Sequence, residues 1–553
     1  MIIYQIYPRS FCDANGDGIG DLPGIIEKLP HIASLGGVDF VWISPFFASP
    51  MRDFGYDVSN YYDVDPLFGT LEDLRSLLKL ASSLGLAIMI DLVLAHSSSE
   101  HPWFQASRQS KANPHSDWYV WVDPRPDGCP PNNWLSNFGG PAWTWEPRRG
   151  QYYLHHFLPE QPALNWYNPA VETALLDVVK FWLDEGVRGF RLDALDFAHH
   201  DPMLRDNPPL PPTHGAFDPS YPYLFQEHIY DCGAPGGLAA VRRLRQLVDR
   251  YGGALLLGEV ANRQSARQYT GPDLLHSTYF FDFLIPAPFT PQSIAQRLNT
   301  ILSQFKPTEF AWTLSNHDFE RHASRLMALA NDQRPDFAKL CAALFLSLPG
   351  RYCLYQGEEL GLPSAELQRA DLRDPFDIAL WPHGRGRDRA RTPIPWDNHG
   401  ANGGFTTRCG EVIYLPLDPK HLPLSVATQN QDNHSVLAFY RQLLAWRQRT
   451  EPSAYHLSID EATENLLAYS LHSKGKNPDP VWICKFNLAP DQSLVCPVGP
   501  DPQHFQIDAI SRGYNQVGSD SLELLPLGFV FLQRKDSLPV PISSPRESMV
   551  PSQ

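Results

Sequence analysis

Two hydrophobic periods alternate along most of the chain. Short apolar and β-branched runs recur over the first 450 positions, separated by stretches where apolar residues return every three or four positions. Eight runs read as strands: residues 2–7, 38–44, 86–93, 187–193, 254–260, 278–283, 310–315 and 351–355. Most are apolar throughout, the pattern of parallel strands covered on both faces. Residues 71–84, 172–185 and 238–251 carry helical periodicity between them. Eight such β/α units predict an α/β fold built on a (β/α)8 TIM barrel.

One interval breaks the rhythm. About 75 residues dense in Trp, Pro, Asn and Gly separate the third strand from the helix at 172. A structureless loop of that length is uncommon inside a compact domain, so the segment reads as a small inserted domain on the barrel's top face. A second Pro-rich insertion, 201–223, follows the fourth strand. After a last helix at 435–449, alternating segments at 465–471, 481–487 and 523–532 predict a C-terminal antiparallel β domain. The expected organisation is a barrel over 1–95 and 167–452, an inserted loop-rich domain over 96–166, a β domain over 453–535 and a disordered tail over 536–553.

Composition narrows the partners. Hydrophobic residues at 43% and aromatics at 12% exclude disorder as the main state. Acids outnumber bases 61 to 45, giving a net charge of −16. Such a surface repels phosphate backbones, so neither nucleic acid nor an anionic membrane is an expected partner. No apolar run reaches the roughly 18 residues of a membrane helix. The N-terminus reads as a strand, not as a signal peptide, and a cytoplasmic location is expected. The eight cysteines are scattered with no CxxC pair, which leaves neither zinc spacing nor a disulfide framework. Prolines number 52 and crowd into 114–169 and 202–212, where they would stiffen loops.

In a barrel the chemistry lies at the C-terminal ends of the strands. The third run ends in Asp91-Leu-Val-Leu-Ala-His96, the fourth in Gly189-Phe-Arg191-Leu-Asp193, the fifth in Gly258-Glu259-Val260 and the seventh in Ser315-Asn-His317-Asp318. Asp193, Glu259 and Asp318 thus share one rim with Arg191, His96 and His317. Clustered carboxylates repel and are costly to desolvate, so their joint presence points to function. Two rim carboxylates suit glycoside hydrolysis, in which one attacks the anomeric carbon and the other protonates the leaving oxygen. Arg191, two residues before Asp193 on the same strand, would keep Asp193 ionised. The apolar neighbours of Glu259 would raise its pKa, as a proton donor requires.

These four segments resemble the signature regions of the α-amylase superfamily, glycoside hydrolase family 13. Ile3-Tyr-Gln-Ile-Tyr-Pro-Arg-Ser-Phe11, Asp53-Phe-Gly-Tyr-Asp57, Gln161-Pro-Ala-Leu-Asn-Trp166, Tyr355-Gln-Gly-Glu-Glu-Leu-Gly361 and Arg391-Thr-Pro393 are similar to its α-glucosidase and oligo-1,6-glucosidase branch. The resemblance implies Asp193 as nucleophile, Glu259 as general acid/base and Asp318 as the residue holding ring hydroxyls. It implies that His96 and His317 donate to glucose hydroxyls, that Tyr56 stacks on the sugar, and that Asp53 and Arg391 clamp the non-reducing end, as in an exo-acting enzyme. Ala194, just after the nucleophile position, implies a lean to α-1,4 links, since α-1,6-specific members carry valine there. The Pro-rich insertion at 201–223 is similar to that of bacterial α-glucosidases with strong glucosyl-transfer activity. The ligands implied are small neutral α-glucosides, with the chain acting as a monomer or homodimer. Two positions depart from the family pattern: Ala163 stands where Asp is usual, and Arg188 where an acid is usual.

The segment Asp13-Ala-Asn15-Gly-Asp17-Gly-Ile19-Gly-Asp21 puts oxygen donors at alternate positions with glycines between them, the donor chemistry of hard cations. It lacks the Glu at the twelfth position of an EF-hand. It matches the Ca²⁺ loop of the same branch, in which Ile19 contributes its backbone oxygen, and a structural Ca²⁺ is the expected cofactor. Beside a retaining α-glucosidase with transfer activity, four readings stay open: a same-superfamily isomerase or transferase, an oligo-1,6-glucosidase, a metal-dependent hydrolase using His96 and His317, and a non-catalytic sugar-binding relative.

Overall fold

The computed structural model describes residues 1–536 apart from 211–220, 235, 261, 280, 286, 330–331, 385, 401, 408–412 and 475–478. The core of the Pro-rich insertion, Cys409 and the expected tail beyond Asp536 therefore lie outside the described residues.

Eight parallel strands form one sheet: β1 (Ile2–Ile6), β2 (Phe40–Ile43), β3 (Ala87–Val93), β4 (Gly189–Asp193), β5 (Leu255–Glu259), β6 (Ser277–Tyr279), β7 (Ala311–Thr313) and β8 (Arg351–Tyr355). Their order is β6-β5-β4-β3-β2-β1-β8-β7. A parallel bridge between Thr278 and Phe310 joins the two outer strands and closes the barrel. The strands are buried on both faces, which is why they read as continuous apolar runs. Between them run helices started by side-chain caps: Asp21 accepts the Gly24 amide ahead of Leu22–Ser34, and Thr70 and Asp73 form a reciprocal box ahead of Leu71–Ser83.

The ladders of several strands are shorter than the apolar runs. The expected strand at 278–283 pairs only over Ser277–Tyr279, and the chain then winds into a 3-10 turn over Phe281–Phe283. Apolar pattern reports burial, and burial continues past the last inter-strand hydrogen bond.

The segment after β3 builds a three-stranded antiparallel sheet from Trp121–Val122, Gln151–Leu154 and Trp143–Glu146. Its own core packs Val120, Trp134, Trp143, Leu154 and Ala163. Ala163 is buried, with its amide and carbonyl paired to Leu154 and Val120. The aspartate usual at that position would need a buried polar partner here. Arg188 offers its guanidinium to the Val187 carbonyl, and nothing in the structure assigns it a function.

Beyond the helix Val436–Thr450, seven strands form an antiparallel sheet around the long strand Ser521–Arg534. The sheet docks on the barrel through Tyr469, whose hydroxyl donates to the Leu344 carbonyl of the helix Arg334–Leu346. Among the described residues no helix is long and apolar enough to cross a membrane.

Candidate active site

Register alone brings the rim carboxylates together. Arg191 on β4 lies opposite Asp91 on β3 and Leu257 on β5, and Glu259 lies opposite Tyr279 on β6. Gly258 faces Leu192, so Glu259 comes level with Asp193 at the open end of the barrel.

Arg191 is the hub. Its guanidinium contacts Asp91 at 2.8 Å, Asp193 at 2.6 Å and Glu259 at 2.6 Å. It also donates to the Tyr279 hydroxyl, which donates in turn to Glu259 Oε1 at 3.0 Å. The Ala194 amide donates to Glu259 Oε2 at 3.0 Å. The Arg191–Asp193 pair follows the expectation from spacing. The contact from Arg191 to Glu259 was not legible, because the two residues lie on different strands.

Charge and burial compete at each acid. Burial pushes Glu259 up to about 7, with Asp193 and Asp318 reinforcing the rise and Arg191 opposing it. Burial raises Asp193 as well, against the pull of Arg191. Asp91, enclosed by Arg191, Trp42 and Tyr56, is pushed up to about 7 by burial. At Asp318 burial also acts upward, but the His317 ring and the Arg387 and Arg391 guanidiniums outweigh it and hold the carboxyl well below its usual range. Burial keeps His96 down at about 4, so its ring is neutral near pH 7, and holds His317 well below its usual value against the pull of Asp318.

The sugar-binding candidates surround the same space. The Tyr56 hydroxyl lies 2.5 Å from His317 Nε2 and 3.2 Å from Asp91, and the Tyr56 ring stacks on His317. Gln5 fixes the other nitrogen of His317 at 2.8 Å. His96 places Nε2 3.1 Å from the Tyr56 carbonyl and from Gln161, and its Nδ1 has no partner among the described residues. Gln161 also donates to Asp53.

The clamp differs from expectation. Arg391 sits beneath the floor, donating to the His317 carbonyl, Asp374 and Asp318. The guanidinium near Asp53 belongs to Arg387, 3.8 Å away, which also reaches Asp318 at 2.8 Å and Asp374 at 3.1 Å. Arg387 lines the cleft and Arg391 does not. The segment holds arginines at 385, 387, 389 and 391, and pattern alone does not choose among them.

The resulting cleft has about 740 Å³ of open space. Asp193, Glu259 and Asp318 meet in it beside Asp53, Tyr56, His96 and Ala194, under a wall of phenylalanines that includes Phe138, Phe157, Phe197 and Phe376. None of these rings was singled out from sequence, since an aromatic in a loop carries no periodicity. Burial lifts Glu259 to about 7 while Arg191 opposes the rise at Asp193, and a proton donor beside a carboxylate nucleophile is the pairing that acid-assisted displacement at an acetal carbon requires.

The oxygen-rich loop is ordered by its own amides. Asp13 accepts from Gly16 and Gly18, Asn15 from Asp17, Asp17 from Ile19, and Asp21 from Asn15 and Gly24. The donor set is all oxygen and suits a hard cation. Among the described residues no three His, Cys, Asp or Glu side chains are gathered in a metal-holding arrangement.

The alpha-amylase family, described as the alpha amylase catalytic domain, matches residues 5–455. A "Probable alpha-glucosidase" of Rhizobium meliloti (strain 1021) is 50% identical over 497 residues, 88% of each chain. An "Oligo-1,6-glucosidase" of Heyndrickxia coagulans is 37% identical over 81% of this chain and 84% of its own. The crystal structure of an alpha-glucosyl transfer enzyme, XgtA, superposes with a TM-score of 0.90 at 44% identity, covering 96% of this chain and 98% of that one. The chain belongs to the alpha-amylase family and is a glycoside hydrolase.

Proposed function

We propose that the protein is an exo-acting, retaining α-glucosidase that removes terminal glucose, α-1,4-linked by preference, from maltose and short oligosaccharides and also transfers it to sugar acceptors. One observation carries the reading: a single guanidinium, Arg191, contacts both Asp193 and Glu259. Carboxylates that close leave little room for an intervening water, which favours double displacement over inversion.

Asp193, ionised beside Arg191, attacks the anomeric carbon as Glu259 delivers its proton to the leaving oxygen. Glu259, now a carboxylate, then takes the proton of water or of an acceptor hydroxyl as that oxygen displaces Asp193. Tyr279 and the Ala194 amide orient Glu259 through both cycles. Asp318 and Asp53, flanked by Arg387, bind the hydroxyls of one glucose and close the cleft behind it. Transfer is supported by the likeness to a glucosyl transfer enzyme, and the lean to α-1,4 links by the small Ala194 that lines the cleft beside the nucleophile. A calcium ion at Asp13, Asn15, Asp17, the Ile19 carbonyl and Asp21 would anchor the loop after β1, away from the cleft.

Proton NMR of the first turnovers on maltose tests the mechanism. The expected first product is α-glucose, with maltose consumed faster than isomaltose. β-Glucose as the first anomer, or no glucose from either sugar, overturns the reading.

A further inference from the structure

Three segments that come from different places in the chain meet over one side of the cleft. The inserted sheet contributes Asn137 and Phe138, both lining the cleft. The segment after β8 contributes Phe376, in the short helix Pro375–Ala379. Between them stands Tyr221, from the region after β4. Its hydroxyl donates to Asn137 Oδ1 at 2.6 Å, and its ring packs edge-on against Phe376 with centroids 5.5 Å apart. Phe376 packs edge-on against Phe138 at 5.5 Å, which completes the circuit.

The latch is anchored from behind. Tyr221 stacks on Tyr223 at 5.8 Å, Tyr223 stacks on His228 at 3.6 Å, and His228 is fixed by Asp231 at 2.6 Å. Tyr221 is 7% exposed and contributes no atom to the cleft itself. It therefore acts only through the groups it holds. Asn137 has a second attachment, since its amide donates to the His156 carbonyl at 2.8 Å. Loss of the Tyr221 hydroxyl would free the side chain of Asn137 without unfolding its loop.

We propose that Tyr221 is a positioning residue that fixes the Asn137–Phe138 wall and thereby sets how the glucosyl group divides between water and sugar acceptors. The inference rests on the glucosidase reading above. Formation of the covalent intermediate depends on Asp193, Glu259 and the groups around the bound glucose, whereas Tyr221 holds Asn137 and Phe376. Capture of the intermediate depends on an acceptor being held in place, and a loosened wall penalises a sugar more than a water molecule, which needs no wall. The hydroxyl matters because a buried acceptor left without its donor seeks a new partner by moving.

The experiment compares wild type, Tyr221→Phe, Asn137→Ala and the double variant at high maltose, resolving free glucose from transfer products over time. Tyr221→Phe is expected to lower the transfer-to-hydrolysis ratio about three- to tenfold, a change of about 0.7–1.4 kcal/mol in acceptor discrimination. Its kcat/KM for p-nitrophenyl α-glucoside should stay within twofold of wild type. The double variant should resemble either single one, as expected for two ends of one bond. Asn137→Asp, which still accepts from the hydroxyl, should keep a ratio near wild type. An unchanged ratio in Tyr221→Phe, additive effects in the double variant, or a wild type that cleaves the aryl glucoside yet makes no transfer product each overturn the inference. A wild type inactive on both donors instead overturns the glucosidase reading, which separates the two failures.

Discussion

Glu259 has to be an acid at the start of a turnover and a base at its end, so its proton affinity has to lie near the working pH. Burial places it at about 7 in the free protein. The sign follows from its first task. Only the protonated form can donate, so kcat/KM for maltose should fall as pH rises through about 7, losing tenfold per unit beyond. Glu259→Gln keeps the shape, removes the titration, and should lower kcat/KM by about 10²–10⁴. The alkaline limb should vanish in that variant, and a pH profile that keeps it assigns the limb to another group. Asp318 should stay outside the profile, since its arginines hold it ionised well below the range where the protein works.

At the scale of elements, the turn after β4 decides more than its length indicates. Ala194 adopts φ 45° and ψ 43°, the left-handed region where side chains with a Cβ are strained, and it opens the 3-10 turn Leu195–Ala198. This turn aims its amide at Glu259 while its methyl group lines the cleft. A β-branched residue here is held in an outlier conformation and narrows the space beside the scissile oxygen. Ala194→Val should cost about 1–3 kcal/mol of stability and raise the isomaltose-to-maltose ratio of kcat/KM. Equal ratios in the two proteins, measured by glucose release, would detach linkage choice from this position.

The legibility of the sequence divides along the same line. Strand ends and the Asp193, Glu259 and Asp318 set are readable because a parallel barrel delivers every strand terminus to one rim. Arg387 and the phenylalanine wall are not readable in that way. They arrive on loops whose folding depends on contacts between distant segments, such as Phe138 with Phe376, and no local period encodes those. The 3-10 turn at Phe281 shows a third limit: the apolar run continues past the point where the ladder stops.

For the molecule as a whole, β1 and the segment that follows it tie together the two ends of the barrel's sequence. β1 pairs with both β2 and β8, and the loop beginning at Asp13 pairs with Thr406 beyond β8. A calcium ion in that loop would bind the folded chain and not the unfolded one, stabilising it by about 2.7 kcal/mol at a hundredfold excess over Kd. Chelation with EGTA should therefore lower the unfolding midpoint, and added Ca²⁺ should restore it, with maltose turnover below the transition unchanged. A midpoint indifferent to EGTA and Ca²⁺ would mean that the backbone amides now satisfying Asp13 and Asp21 suffice.

The hub of guanidiniums has one more consequence, for ionic strength. The molecule carries a net charge of −16, yet three arginines, Arg191, Arg387 and Arg391, stand within or directly beneath the cleft. Opposite them are the Asp193, Asp318 and Asp374 carboxylates, while burial pushes Asp53, Asp91 and Glu259 up to about 7 or 8. Each of these guanidiniums thus faces at least one carboxyl group inside an acidic protein. A neutral sugar entering it displaces no bound counter-ion, and pairs this deeply enclosed are little screened by dissolved salt. Affinity for the glucosides proposed as substrates should therefore change little between low and high salt, which binding measured at two ionic strengths checks.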